Sequence, residues 1–488
     1  MTAAPGRPEE GTGALAVLSN RPFLLLWLAQ ATTQIGGNMV LYGLTVIVVR
    51  STTSNAAVSA LFLTFLLPAV LLSAVAGVYA DRIDRRVILV VTNVIRAVAF
   101  VAIFLVGDNL LAILMLNVFV SIVNVFFTPA EGAMIPHVVP RHQLVSANGI
   151  FTLTLNAAFI VGFALLGPVV AKIAGPQGLI LFVAVLFLIA AAFCFTLPPA
   201  PPTSEPVSAR RAVSDAEQAM ESTFAQLREG LGYIRAHRNI SWSLIYLGIA
   251  ASLTGVLGVL GPDLARETLG LAFEDSVVVI LPLGFGIVTG ILFLNSYGRF
   301  LPRRRVIEFG LIGLGILLAL LSAAGTISQI LQRSATVIDL SAVTSLLAVV
   351  VGIALLAGIC YAIVAIPSQT QLQEDLPEDV RGRVFGVLNM LLSVTSMVPI
   401  IVVGPISDVV GTTAVVVACA VLIAASGVIS VLRRGPLQPP ERLATAKTAM
   451  PGVTADPMGV AQHDPRARDD GASRRPAAAV PSEDDLAR

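Results

Sequence analysis

Charge is what this 488-residue chain has least of: only 12% of its residues are Asp, Glu, Lys or Arg, about half the share of an ordinary soluble protein. Acids and bases nearly cancel, leaving a net charge of +1, so no basic surface invites nucleic acid. Lysine occurs only at Lys172 and Lys447. Cysteine occurs only at Cys194, Cys360 and Cys419, each inside an apolar run with no histidine beside it, which argues against disulfides and against a metal site. His137 and His142 lie five apart in a short polar stretch and read as surface residues. The chain has no phosphate-binding glycine loop with lysine, no zinc-type histidine pair and no nucleophile elbow. Catalysis is therefore not expected, and neither is a metal or a cofactor.

What the chain has in excess is apolar length. Hydrophobic residues make up 56% of it and mean hydropathy is +0.86. They gather into runs of about 20, the length an α-helix needs to cross the hydrocarbon core. Spans are expected near 22–48, 55–79, 87–107, 110–128, 148–171 and 178–197, then near 241–265, 276–296, 306–326, 343–366, 384–407 and 411–432. The first run follows twenty polar residues and lacks an A-x-A-like end, so it reads as an uncleaved span. The expectation is an all-α membrane protein of twelve helices in two six-helix, pseudo-symmetric halves. Residues 1–20 form a tail, 21–197 the first half, 198–240 a linker, 241–433 the second half and 434–488 a tail without periodicity. The linker opens on Pro198, Pro199, Pro201, Pro202 and Pro206, then places Phe224, Leu227, Leu231 and Ile234 at helical spacing, the pattern of a helix lying on a membrane surface.

Arginine placement sets the expected orientation. Arg82, Arg85, Arg86, Arg141, Arg299, Arg303, Arg304, Arg305, Arg381 and Arg383 fall in every second loop, whereas Arg50, Lys172, Arg266 and Arg333 stand singly in the others. Both termini should then be cytoplasmic, in a bacterial inner membrane. The halves also echo each other. Pro129 to Asn148 follows span four, Pro367 to Asn389 follows span ten, and both run from proline through a second proline into a helix. Internal repetition at half length marks secondary transporters that rock one half against the other.

The stretch GVYADRIDRR, Gly77 to Arg86, resembles the major facilitator motif G-x-L-x-D-R-x-G-R-K. Gly77 would allow close packing, Asp81 would cap or face a helix N-terminus, and Arg82, Arg85 and Arg86 would pair with acids or face anionic lipid. Asp84 stands where the motif has glycine, so the turn there should be capped differently. FLLLWLAQATTQIG, FFTPAEGAMIPHVVPRHQLVSAN, QLREGLGYIRAHRNI and PEDVRGRVFGVLNML look like the drug:H⁺ antiporter-3 branch, which includes macrolide exporters. The resemblance covers roughly residues 20–432 and implies a monomeric, proton-driven exporter of hydrophobic or amphiphilic molecules. Two positions depart from it: Gly37 replaces an acid and Glu131 an arginine. Glu131 is expected to pair with Arg85 or Arg86, and Arg381 and Arg383 are further gate partners.

Inside the expected spans Arg96 is the one clear charge. With no mid-membrane acid in sight it reads as a packing brace, the alternative being a cavity-facing cation. Neutral polar stripes are more plentiful. Gln30, Gln34 and Asn38 line one face of span one; Asn117, Ser121 and Asn124 line span four; Asn148, Thr152 and Asn156 line span five; Asn389, Ser393 and Ser396 line span eleven. They line a cavity or else bond helix to helix. Gly162, Gly167 and Pro168 resemble the glycine–proline bend of antiporters. A lipid, lysolipid or siderophore mover on the same scaffold, or a receptor that has lost transport, are the competing expectations.

Overall fold

A run of apolar residues in a helix hides its backbone polar groups in its own hydrogen bonds, the arrangement that hydrocarbon demands. The computed structural model describes residues 14–52, 54–80, 82–201, 228, 232, 238–269, 277–298, 302–334, 340–374 and 378–434, and the described residues contain no strand. In order the helices are α1 (Ala14–Leu18), α2 (Arg21–Ser51), α3 (Asn55–Ala80), α4 (Arg85–Val106), α5 (Leu110–Val138), α6 (Leu144–Phe159) and α7 (Gly167–Phe195) in the first half. The second half holds α8 (Arg238–Leu269), α9 (Val277–Tyr297), α10 (Arg303–Ser334), α11 (Leu340–Glu374), α12 (Glu378–Val410) and α13 (Thr412–Arg434). The expected linker helix, apart from Arg228 and Gly232, and the tail from Gly435 lie outside the described residues.

Ten helical stretches among the described residues are long and apolar enough to span a membrane. One of them, Arg141–Phe195, covers two expected spans, divided where Gly175 adopts a positive φ of 76° that a side chain would resist. The shorter apolar helix Leu281–Tyr297 supplies another. The twelve expected spans are thus accounted for, and this is a multi-pass membrane protein.

The paired proline segments correct the sequence reading. Their opening prolines do not end a helix: α5 continues through Pro129 and Pro136 to Val138, and α11 continues through Pro367 to Glu374. A proline deletes one backbone bond, and membrane helices accommodate the loss where neighbours satisfy the freed carbonyl. The result carries Glu131 into the bundle, where it is 7% exposed.

Three apolar clusters organise the bundle. One joins both halves, with Val58 and Leu61 of α3 packed in the same cluster as Val259 and Leu260 of α8 and Ile400 and Val403 of α12. The second belongs to the first half alone, around Phe23, Leu89, Phe127 and Met134. The third belongs to the second half alone, around Tyr246, Ile307, Leu311 and Val364. The second and third lie toward the ends of the helices that carry Arg85, Arg86, Arg303 and Arg304, and the shared cluster lies toward the opposite ends. Small residues set the closest crossings: a Cβ on Gly286 of α9 would come 2.0 Å from the Leu355 carbonyl oxygen of α11, and one on Gly358 would come 2.1 Å from that of Leu283.

Candidate functional site

The loop between α3 and α4 is built around Asp84. Its carboxylate caps α4, accepting from the Arg86 amide at 2.9 Å, and also accepts from the Ala200 amide at 3.3 Å. The Arg85 amide donates to the Ala200 carbonyl at 3.2 Å, and the Arg86 guanidinium donates to the Phe195 carbonyl while lying over its ring at 5.0 Å. Asp84 thus serves as a helix cap in place of the motif's glycine, and it ties the loop to the chain leaving α7. Arg82 is half-buried, and Asp81 lies outside the described residues. Among the described residues a Cβ on Gly77 would meet nothing within 4 Å.

Deeper in the same half sits Arg96 of α4, 3% exposed. Its guanidinium donates to Asn93 Oδ1 at 2.7 Å, to Asn124 Oδ1 at 2.8 Å and to the Thr92 carbonyl at 3.3 Å. The rings of Phe127 and Phe187 lie 4.3 and 4.7 Å from its central carbon. Amides and aromatic faces together satisfy a cation that hydrocarbon would reject. Asn93 extends the network to Cys194 Sγ at 3.7 Å.

Glu131 completes this pocket. Asn124, Phe127 and Glu131 share one face of α5 at spacings of three and four, so the helix that holds Arg96 also presents a carboxylate to it. Among the described residues Glu131 forms no ion pair with Arg85 or Arg86, and its burial in the bundle corrects the reading that no acid lies within the membrane helices. Glu131 is not fully satisfied there: its Oε1 is buried without a hydrogen-bond partner among the described residues.

The polar stripes divide. Asn124 is occupied by Arg96. Asn117 donates to Thr64 Oγ1 at 2.6 Å but leaves its own Oδ1 buried and, among the described residues, unpartnered, as are Gln30 Oε1 and Ser121 Oγ. Gln34 and Asn38 are half-buried on α2, where Asn38 donates to the Gln34 carbonyl at 2.8 Å. Gly162 lies in a π-helical turn, Ile160–Leu166, that meets α2: a Cβ on Gly162 would come 2.5 Å from the Ile35 carbonyl oxygen. Gly167 and Pro168 follow at the start of α7. Ser393 is half-buried in α12, whereas the side chains of Asn156, Asn389, Arg381 and Arg383 lie outside the described residues.

Two features escaped the sequence reading. Glu308 of α10, 1% exposed, pairs with Arg304 at 2.9 Å and accepts from Ser430 at 2.8 Å, with Tyr246 bonded to Ser430 in turn. The i, i+4 spacing of Arg304 and Glu308 was the available signal. The other is Asp408 of α12, which bonds the first turn of α3 across the bundle. No local pattern announces it.

Similarity to known proteins agrees with this architecture. The family model described as Major Facilitator Superfamily matches residues 26–399. The uncharacterized MFS-type transporter YfiS of Bacillus subtilis is 22% identical over 387 residues, covering 77% of this chain and 84% of that protein. The multidrug efflux pump Tap of Mycolicibacterium fortuitum is 22% identical over 426 residues, covering 84% and 95%. Among solved structures the nucleoside transporter NupG superposes with a TM-score of 0.62 at 13% identity, covering 84% of this chain and 99% of that one. A bacterial homolog of the human lysosomal transporter Spinster, inward-facing and unoccupied, gives 0.59 at 14% identity, covering 84% and 94%. With the family model matched along most of its length and the helices arranged as in those transporters, the chain belongs to the Major Facilitator Superfamily and is a membrane transporter, not an enzyme.

Proposed function

We propose that the protein exports hydrophobic or amphiphilic small molecules across a bacterial inner membrane in exchange for protons, with both termini in the cytoplasm. The observation that carries the coupling is Glu131: an acid buried inside the bundle, on the helix that also holds Arg96 through Asn124, with one oxygen left unpartnered among the described residues. A buried charge that lacks a full set of partners is where taking up a proton changes the energetics most. Each charge moved across 100 mV is worth about 2.3 kcal/mol, so exchange of even one proton drives useful accumulation. Amide and hydroxyl oxygens at Gln30, Asn117 and Ser121 that are unpartnered among the described residues suit neutral or weakly charged amphiphiles and suit a polycation poorly. The similarity to a multidrug efflux pump supports the direction of transport.

The test is dye efflux from everted vesicles carrying the wild type or Glu131→Gln, with and without a protonophore. Wild-type vesicles should concentrate the dye and lose that ability with the gradient. Glu131→Gln should lose concentrative transport by at least about tenfold, the scale set by removing a group that acts only in the coupled step, while still equilibrating dye down its own gradient. Accumulation unaffected by protonophore would remove the coupling claim, and accumulation equal to that of empty vesicles would remove export.

A further inference from the structure

The first turn of α3 belongs to one half of the protein, but the group that caps it belongs to the other. Asp408, near the end of α12 and 353 residues along the chain, accepts from the Asn55 amide at 2.6 Å through Oδ1. Its Oδ2 accepts from the Ala56 amide at 3.1 Å and from Ser54 Oγ at 2.6 Å. Amides of a first turn have no partner within their own helix, and a carboxylate there also answers the positive end of the helix dipole. Behind this exposed carboxylate lies a buried layer. The Asn55 side chain donates to Asp263 Oδ2 of α8 at 3.2 Å and to Thr412 Oγ1 of α13 at 3.1 Å, and Thr412 bonds Asp263. Asp263 is in turn salt-bridged to Arg266 at 3.3 Å. Gly411, at φ 95°, makes the tight turn that sets Asp408 and Thr412 on either side of Asn55. Backbone packing allows nothing between the helices here: a Cβ on Gly404 would lie 2.2 Å from Ser59 Oγ and 2.5 Å from the Asn55 carbonyl oxygen.

We propose that Asp408 and the Asn55–Thr412–Asp263 layer form a releasable clasp that holds the two halves together at the end opposite the arginine-rich loops. The location of the apolar clusters fits this role, since the cluster shared by both halves lies at this end and the unshared ones lie at the other. Asp408 is exposed, so water can take over its hydrogen bonds as the halves part, and the first turn of α3 keeps a cap of its own because Ser54 Oγ accepts from the Ala57 amide at 3.3 Å. Such a contact can be made and broken without unfolding a helix. The inference rests on the transport reading only for its place in a cycle, and its test needs no substrate.

Spin-label distances on the full chain in nanodiscs provide that test, with the three native cysteines replaced by alanine. One label pair, Ile173→Cys with Val410→Cys, reports the clasped end; another, Val145→Cys with Leu432→Cys, reports the arginine-rich end. Asp408→Ala should shift the ratio of closed to open molecules at the clasped end by on the order of tenfold, the effect of losing about 1.4 kcal/mol of hydrogen bonding to a carboxylate. The arginine-rich pair should move closer in the same molecules. Gly404→Val, which wedges α3 from α12 and leaves every clasp side chain in place, should open the same end. If both variants fold and keep the wild-type distances, the clasp is overturned. It is equally overturned if both pairs broaden together, which would be general loosening. Should Asp408→Ala not fold, Asp408→Asn combined with Thr412→Val gives the same readout, and unchanged distances or joint broadening overturn the clasp there too. None of these outcomes depends on whether vesicles export dye, so a failed clasp and a failed exporter remain distinguishable.

Discussion

At the scale of single residues, the pocket around Arg96 and Glu131 combines a structural demand with a functional opening. Arg96 is held by two asparagines and two aromatic faces, so it fixes α4 against α5 and α7 whether or not Glu131 carries a charge. Glu131 is less well satisfied than Arg96, because its Oε1 is buried with no hydrogen-bond partner among the described residues. Removing the guanidinium leaves the buried Asn93 and Asn124 oxygens without their donor, at about 1–3 kcal/mol for each buried polar group left unsatisfied. Arg96→Leu should therefore lower the melting temperature sharply in detergent, and Arg96→Leu with Glu131→Gln should recover part of the loss. Additive losses in the double variant would mean that the two side chains do not interact energetically.

At the scale of helices, small residues and internal prolines shape the bundle more than strong propensities do. α9 and α11 cross at Gly286 and Gly358, where each helix meets the other's backbone. Adding a side chain at such a crossing pushes two helices apart and forfeits contacts along both. Gly286→Leu should destabilise the folded protein by about 1–3 kcal/mol or more, visible as a lower melting temperature and poorer yield. Gly37→Leu is the matched control, because among the described residues a Cβ on Gly37 would meet nothing within 4 Å; equal losses in the two variants would contradict the crossing as described. The Arg304–Glu308–Ser430 network works similarly, drawing α10 and α13 together with α8 through Tyr246. The π-helical turn over Ile160–Leu166 lets α6 continue into α7 with Gly162 pressed on α2.

At the scale of the whole molecule, two halves share one apolar cluster at one end and keep separate clusters at the other. A protein that alternates access must exchange that arrangement for its mirror, with the arginine-rich ends approaching and the clasped ends parting. The proposed orientation is open to direct measurement. In intact cells a membrane-impermeant thiol reagent should label Val409→Cys, which is 86% exposed beside the clasp, and should spare Val145→Cys, equally exposed beside the arginine-rich loops. Everted vesicles should reverse the pattern. The opposite result would invert the topology and turn the proposed exporter into an importer.

Hydropathy alone marked the helices, because a span must be apolar over about 20 residues whatever it packs against. The motif from Gly77 to Arg86 marked the family for a similar reason, as its spacing is local and survives without knowledge of neighbours. Single residues of the site were visible too: Arg96 stood out as a charge in apolar surroundings, and Glu131 as an acid where the family it resembles has arginine. Their partnership was not visible. It required α5 to run on through Pro129 and Pro136, which reads as a loop when proline is taken as a breaker, and which buries Glu131 on the face that carries Asn124 and Phe127. Asp408 was the least legible of all, because a cap supplied from 353 residues away leaves no periodic trace in the chain that it caps. The number of helices, their rough positions and their family are properties of one segment and its solvent, so they can be read from the chain unfolded on paper. Which charges meet, and which end of the bundle is held shut, are properties of segments brought together, and they exist only once the helices have packed.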